Sequence, residues 1–250
     1  MTTKEIGIRE CVTPEELESC LRLQREVFNL PDIEISPVRH LIVTRHAGGF
    51  TLGAFDGEKL VGFVLSVVSF IRNEKMFYSH MTAIDQSYQN YGIGARLKWA
   101  QRKRALGEGV NYIKWTFQPV QARNAFFNLE KLGAVVTEYQ PNFYGTDYGT
   151  SDDNSSKLGI DSDRLFAQWE LRSDRVEKLS GGEPDRITDV PSRKIIIPNN
   201  WGELVKTDLK RAISEQNRVK AEFEDSFRNG LICRGFEKDE NNPGYLLFEP

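Results

Sequence analysis

The stretch "SYQNYGIGARLKWAQ", Ser87 to Gln101, places two glycines, Gly92 and Gly94, between a run with strand-like alternation and a run with helical spacing. Glycines let a ligand approach backbone N–H groups without a Cβ in the way, and a helix start favours negative charge. Three anions compete for such a turn. A Walker phosphate loop ends in Gly-Lys-Ser/Thr, because the lysine meets the terminal phosphates and the hydroxyl meets magnesium; neither residue follows Gly94. A dinucleotide fingerprint needs a third glycine three residues on, where helix packs close to strand, and Leu97 stands there. A pyrophosphate held by successive amides needs only Q/R-x-x-G-x-G/A, which Gln89-Asn90-Tyr91-Gly92-Ile93-Gly94 supplies. Six residues alone describe an ordinary helix-start turn just as well, so the surroundings decide.

Upstream, Ile6 to Glu10 alternates as a strand, and "TPEELESCLRLQREVF" begins a helix with Thr13 as N-cap, Pro14 at the first position and Glu16 completing a capping box. "VRHLIVTRH" suits a short helix. Asp56-Gly57 separates two apolar runs as a hairpin turn does, and "EKMFYSHMTAID" adds a third adjacent strand. A long helix, Tyr91 to Leu106, then stops at Gly107 and Gly109. After it come a strand, "VNYIKWTF", a helix, "QARNAFFNLEKL", and a strand, "AVVTEYQPNFYG". A polar loop or flap, "TDYGTSDDNSSKLGIDSD", leads to a last strand, "RLFAQWELRS". This order predicts an α+β fold, a mixed and mostly antiparallel sheet with helices on both faces.

Residues 1–174 read as that domain, and 175–200, with Gly-Gly and three prolines, as a connection. Residues 201–250 form an extension: one long helix ended by Gly230, then a strand pair around Asn-Asn-Pro-Gly. The helix's apolar positions Leu204, Leu209, Ile213, Val219, Phe223 and Phe227 drift around it, which predicts burial on more than one side. It could cover the sheet, form a homodimer contact or fold over a pocket.

Composition excludes several classes. Hydrophobic residues make up 39% and charged residues 28%, the balance of a soluble globular chain. The most apolar run, Leu60 to Ile71, is too short to span a bilayer, which argues against a membrane partner. A net charge of −3 gives no electrostatic case for nucleic acid. The cluster "RLKWAQRKR" reads as a solvated helix face, with Arg96 alone near enough to reach a phosphate. The N-terminus lacks a basic segment followed by an apolar one, which points to the cytoplasm. Cys11, Cys20 and Cys233 are an odd number without CxxC spacing, which argues for reduced thiols and against a zinc site.

In its wider setting, "AIDQSYQNYGIGARL" closely resembles the coenzyme A signature of the GCN5-related N-acetyltransferase (GNAT) superfamily, and "NAFFNLEKLGA" resembles that superfamily's second motif. The likeness covers roughly Ile6 to Arg172. The phrases "YSHM", "WTFQPVQARNAFFNLEKLGA", "NFYG" and "DRLFAQWEL" look like one subfamily of uncharacterised acetyltransferases with its own C-terminal extension. The resemblance implies acetyl-CoA, or another acyl-CoA, as co-substrate, no metal, and direct transfer to an amine. A primary amine of a small molecule is the expected acceptor. It also implies a wedge between splayed parallel strands, here Lys75 to Ile84 and Val110 to Phe117. Coenzyme contacts would come from Ile84, Gln89, Asn90, Tyr91, Gly92, Ile93, Gly94 and Ala95. Rivals are a catalytically silent coenzyme A sensor and a transferase of another short acyl group, such as succinyl, to an amino-acid-like acceptor.

Direct transfer requires a base for the ammonium, an oxyanion donor and an acid for the departing thiolate. Many relatives carry an acidic base on the fourth strand, where this chain has Tyr78; His80 lies two residues on. Period two puts Tyr78, His80 and Thr82 on one face. A histidine titrates near neutrality, although a hydrogen-bonded packing role suits His80 equally. The tyrosine that relatives use as acid is replaced by Leu129, which leaves Tyr144 and Tyr139 as candidates. Ala122 stands where an asparagine is expected, so Asn124 or Asn128 could contact the coenzyme. Asp163 could hold an acceptor ammonium and Arg164 a carboxylate, with Tyr139 also on the substrate side; a turn-capping Asp beside a surface Arg is the alternative, and aromatic packing at the sheet rim is that for Tyr139.

Overall fold

Thr13 is the N-cap that its capping box predicts: its side chain accepts from the Glu16 amide, and the Glu16 carboxylate accepts from the amides of Thr13 and Val12. The helix it starts, α1 (Pro14–Phe28), follows strand β1 (Ile6–Glu10). The computed structural model describes residues 5–71, 73–148, 158–185 and 187–250. These divide into two units, the chain passing from the first to the second after Lys114.

The first unit continues with α2 (Val38–His46), β2 (Phe50–Asp56), β3 (Lys59–Ile71), β4 (Glu74–Ile84), α3 (Ile93–Gly107) and the start of β5 (Tyr112–Phe117). Strands β1 to β4 pair antiparallel in sequence order, and β4 pairs parallel with β5. Asp56 pairs with Lys59 across a turn whose Gly57 has φ 61°, a left-handed value that favours glycine. Leu17, Cys20 and Leu23 of α1 and Leu41 of α2 bury against Phe63, Leu65 and Ala83 on one face of the sheet. On the other face α3 supplies Lys98 to Ser79 and Gln101 to Ser66. The sheet is thus mixed, with helices on both faces. No described helix is long and apolar enough to cross a membrane.

The second unit takes the rest of β5, α4 (Ala122–Phe126), a π-helical turn (Phe127–Lys131), β6 (Val135–Gln140), β7 (Arg164–Glu170), α5 (Asp174–Ser180) and β8 (Arg193–Ile196). Then come α6 (Trp201–Thr207), α7 (Leu209–Arg228), β9 (Ile232–Glu237) and β10 (Gly244–Phe248). Its strands stand in the order β7-β6-β9-β10-β8. Trp169 donates to the Leu132 carbonyl at 2.7 Å and meets Trp115 edge-on, with centroids 5.8 Å apart. Tyr245, fully buried, donates to the Pro119 carbonyl at 2.6 Å.

Two expectations about the C-terminal helix change. The single helix from Trp201 to Gly230 is two, because Asp208 leaves helical geometry (φ −149°, ψ 80°) and caps α7 by accepting from the Arg211 amide. Burial on α7 follows one stripe, Ala212, Gln216, Val219, Phe223 and Ser226, at the alternating four and three spacing of a single helix face. The other apolar positions read on it, Leu209, Ile213 and Phe227, are only half-buried. The connecting segment also holds two elements its prolines hide, α5 and β8, the latter pairing with β10 from Arg193 to Ile196.

Candidate functional site

Asp85 ends β4 and accepts from the Ser87 amide at 3.0 Å and its hydroxyl at 2.7 Å, which turns the chain. Tyr88 then buries and donates to Asp56 at 2.6 Å, while the Gln89 side chain returns to the Ile84 carbonyl at 3.2 Å. Asn90 (φ 69°) and Gly92 (φ 75°) take left-handed conformations, and Gly92 is the N-cap of α3. No side chain caps this helix, and its first internal bond runs from the Arg96 amide to the Gly92 carbonyl. The amides of Ile93, Gly94 and Ala95 therefore precede the hydrogen-bonded turns and point out of the helix end.

The two glycines differ in their reasons. Gly92 needs glycine for its φ alone, since a Cβ there would meet nothing within 4 Å. Gly94 has no positive φ, and a Cβ there would find only Ile84 Cγ1 at 3.9 Å. Neither conformation nor packing inside the protein excludes a larger residue at Gly94. A group outside the chain that must approach the backbone does explain it, and the uncapped amides suit an anionic one. One nitrogen of the Arg96 guanidinium donates to the Ile6 carbonyl on β1.

On β4 the register with β3 shifts, Ser79 opposing Ser66 and Met81 opposing Leu65, so His80 is an extra residue in a bulge. Ser79 meets Lys98 of α3, and Ile84 lies beside Gly94 and, through Gly62, Leu97 of the same helix. Five residues apart, they share a face that strict alternation would deny them. Met81 and Ala83 consequently pack in the α1 and α2 core. Tyr78 and His80 stay together on the α2 side, but Thr82 moves to the α3 side, because the bulge inverts the alternation. Pairing between β4 and β5 is confined to Phe77–Ile113 and Tyr78–Lys114 and stops just before the bulge. His80 is surrounded by protein on most sides yet keeps an exposed edge. Desolvation, and then the neighbouring His40, hold its imidazole below the usual 6.5.

Lys98 corrects the reading of its cluster as a solvated face. It is 3% exposed and donates to Ser79 Oγ at 3.1 Å and Gln101 Oε1 at 2.7 Å. Burial pushes its ammonium well below the ordinary lysine range.

In the second unit Asp163 is buried and both of its oxygens are engaged: Oδ2 accepts from the Tyr139 hydroxyl at 2.6 Å and Oδ1 from the Asn142 amide at 2.8 Å. This is the turn-capping alternative, and it occupies Tyr139 too. Burial, then the Asp163 carboxylate, push the Tyr139 phenol up, so that it holds its proton. Arg164 is buried rather than on the surface, donates to the Asp163 carbonyl at 2.9 Å and lies 5.0 Å from the Tyr144 ring. Tyr144 is held by its amide to Ser162 Oγ at 2.7 Å and stacks on Tyr148 at 4.7 Å, with its exposed hydroxyl unbonded among the described residues. Asn128 is buried and its Oδ1 accepts from the Trp115 indole at 3.3 Å, which makes it a brace; Asn124 is exposed. Leu129 is fully buried in the π-helical turn. Residues 149–157 of the expected flap lie outside the described residues.

A glycine turn opening a helix after the bulged fourth strand of a mixed sheet, with helices on both faces, defines the acyl-CoA N-acyltransferase fold. Residues 15–134 match the model of the acetyltransferase (GNAT) family, so this part of the chain is a GNAT acetyltransferase domain. Among solved structures it is similar to an acetyltransferase-like protein from Acinetobacter baylyi at 17% identity, covering 69% of this chain and 96% of that one, TM-score 0.56. A GNAT-family protein from Desulfovibrio desulfuricans is similar at 13% identity, covering 66% and 99%, TM-score 0.53. So is the NatC complex bound to a Gag peptide and coenzyme A, at 17% identity, covering 67% and 99%, TM-score 0.52. At these identities the likeness is one of fold. No curated protein sequence matches the chain.

Proposed function

We propose that the protein transfers a short acyl group, acetyl first among them, from its coenzyme A thioester to the primary amine of a small molecule. The observation that carries this reading is Gly94, whose bare Cα faces open space at an uncapped helix start. The amides of Ile93, Gly94 and Ala95, with Gln89, Asn90 and Ile84 around them, would hold the pyrophosphate of the coenzyme. When bound, the coenzyme supplies an activated acyl thioester. His80 takes the proton of the acceptor ammonium at its open imidazole edge, since an imidazole held below 6.5 is neutral near pH 7. Tyr144 presents its exposed hydroxyl as the candidate acid for the departing thiolate. Its amide bond to Ser162 and its stacking on Tyr148 orient it.

The buried Leu129, in place of the tyrosine common in relatives, favours a second reading, a silent coenzyme A sensor. One experiment separates the two. Coenzyme A should raise the melting temperature by mass action, and Gly92→Glu or Gly94→Glu should abolish the rise. A panel of small amines with acetyl-CoA and succinyl-CoA should release free thiol, with Tyr144→Phe slowing the release. Binding without thiol release across a broad panel supports the sensor, and no binding at all defeats both readings.

A further inference from the structure

Four polar side chains form a buried cluster between α3 and the sheet that the chemistry above does not use. Lys98 donates to Ser79 Oγ and Gln101 Oε1, and Gln101 Nε2 donates to Ser66 Oγ at 2.7 Å. Ser66 and Ser79 are register partners across β3 and β4, which closes the four into a ring. None exceeds 5% exposure, so each group needs partners within the protein for its hydrogen bonds. The ring abuts the one place where β4 departs from its alternation. His80, the extra residue, follows Ser79, and Met81 is already in the opposite core.

A bulge can migrate along a strand, and each residue it passes turns to the other face. Migration toward the start of β4 would turn Ser79 away from α3 and take from the buried Lys98 ammonium its bond to the Ser79 hydroxyl, which is costly. Migration the other way would turn Met81 out of the core. Lys98 also lies less than two turns along α3 from Gly94, so the same ring ties the helix that presents the amides to the strand that presents the imidazole.

We propose that Lys98, acting through Ser79, Gln101 and Ser66, is a positioning residue that locks the β4 bulge at His80 and sets α3 against it. The proposal rests on the reading of His80 as base, but its test does not depend on turnover. In the full chain, the His80 imidazole signal is identified by its loss in His80→Gln. In Lys98→Met that signal should shift or double at constant pH. Amide exchange at residues 79–81 should quicken at least tenfold relative to β2, while coenzyme A still raises the melting temperature. Replacing the whole ring (Ser66→Ala, Ser79→Ala, Lys98→Met, Gln101→Met) removes the stranded groups, so it should restore stability but not the single His80 signal. If Lys98→Met does not fold, Ser79→Ala and the fourfold variant carry the same comparison. A single signal at its wild-type position with unchanged local exchange in the folded variants overturns the proposal. So does recovery of stability and signal together, the mark of a purely structural ring. Failure of every amine panel with the signature intact would instead count against the transferase reading.

Discussion

Gly94→Ala should stabilise the free protein and weaken coenzyme A at once. A methyl at Gly94 meets nothing nearer than Ile84 Cγ1 at 3.9 Å, and the position, second in α3, has no positive φ. Replacing glycine by alanine in a helix is worth up to about 0.5–1 kcal/mol. In a chain of this length that is a rise of about 1–4 °C in the midpoint of thermal unfolding. If a phosphate oxygen approaches the Gly94 amide closely, the same methyl displaces it. A hydrogen bond to a charged group contributes about 1.5–3 kcal/mol, so Kd should rise roughly tenfold to a hundredfold. With coenzyme A at about 100 times the wild-type Kd, ligand stabilisation of ~2.7 kcal/mol should fall to about 1.4 kcal/mol or less. Differential scanning calorimetry of both proteins, with and without coenzyme A, reads both effects. A stabilised variant with an undiminished ligand shift would refute the pyrophosphate placement. A destabilised free variant would refute the open space at Gly94.

Gly92→Ala should behave oppositely in the free protein, losing about 1–2 kcal/mol to its left-handed φ although no atom is in the way; calorimetry shows it directly. His80 must be unprotonated to accept, so kcat/KM should fall as pH drops through a pKa below 6.5. His80→Gln should remove that limb and lower the plateau by about 10²–10⁴-fold. Removing His40, the second cause of the depression, should move the limb upward, read from the same pH profile. Asp163→Ala should cost about 1–3 kcal/mol by leaving the buried Tyr139 hydroxyl and the Asn142 amide without their acceptor. Its coenzyme A shift should persist; unchanged stability with a raised acceptor KM would restore Asp163 to the substrate side. Asp208→Ala should cost about 0.5–2 kcal/mol in chemical denaturation through loss of the α7 cap.

Local features were legible in the chain because their causes are local. The Thr13 capping box, the Asp56-Gly57 turn and the glycines of "QNYGIG" each act on backbone atoms a few residues away, and each stands where it was read. The superfamily was legible for the same reason. Its signature is a short glycine turn, read together with the order of strands and helices around it.

What the chain did not disclose depends on partners distant in sequence. A bulge is a relation between two strands, and nothing in "YSHMTAI" marks His80 as the extra residue that turns Thr82 to the other face. Lys98 looked like part of a basic surface until Ser79 and Gln101 enclosed it. Asp163 and Tyr139, both plausible ligands for an acceptor, bind each other across β6 and β7. Sequence alone thus determined most of the elements and the glycine turn that opens α3. Tertiary structure decided which polar groups are already used up, because a buried donor or acceptor must find its partner wherever the fold brings one.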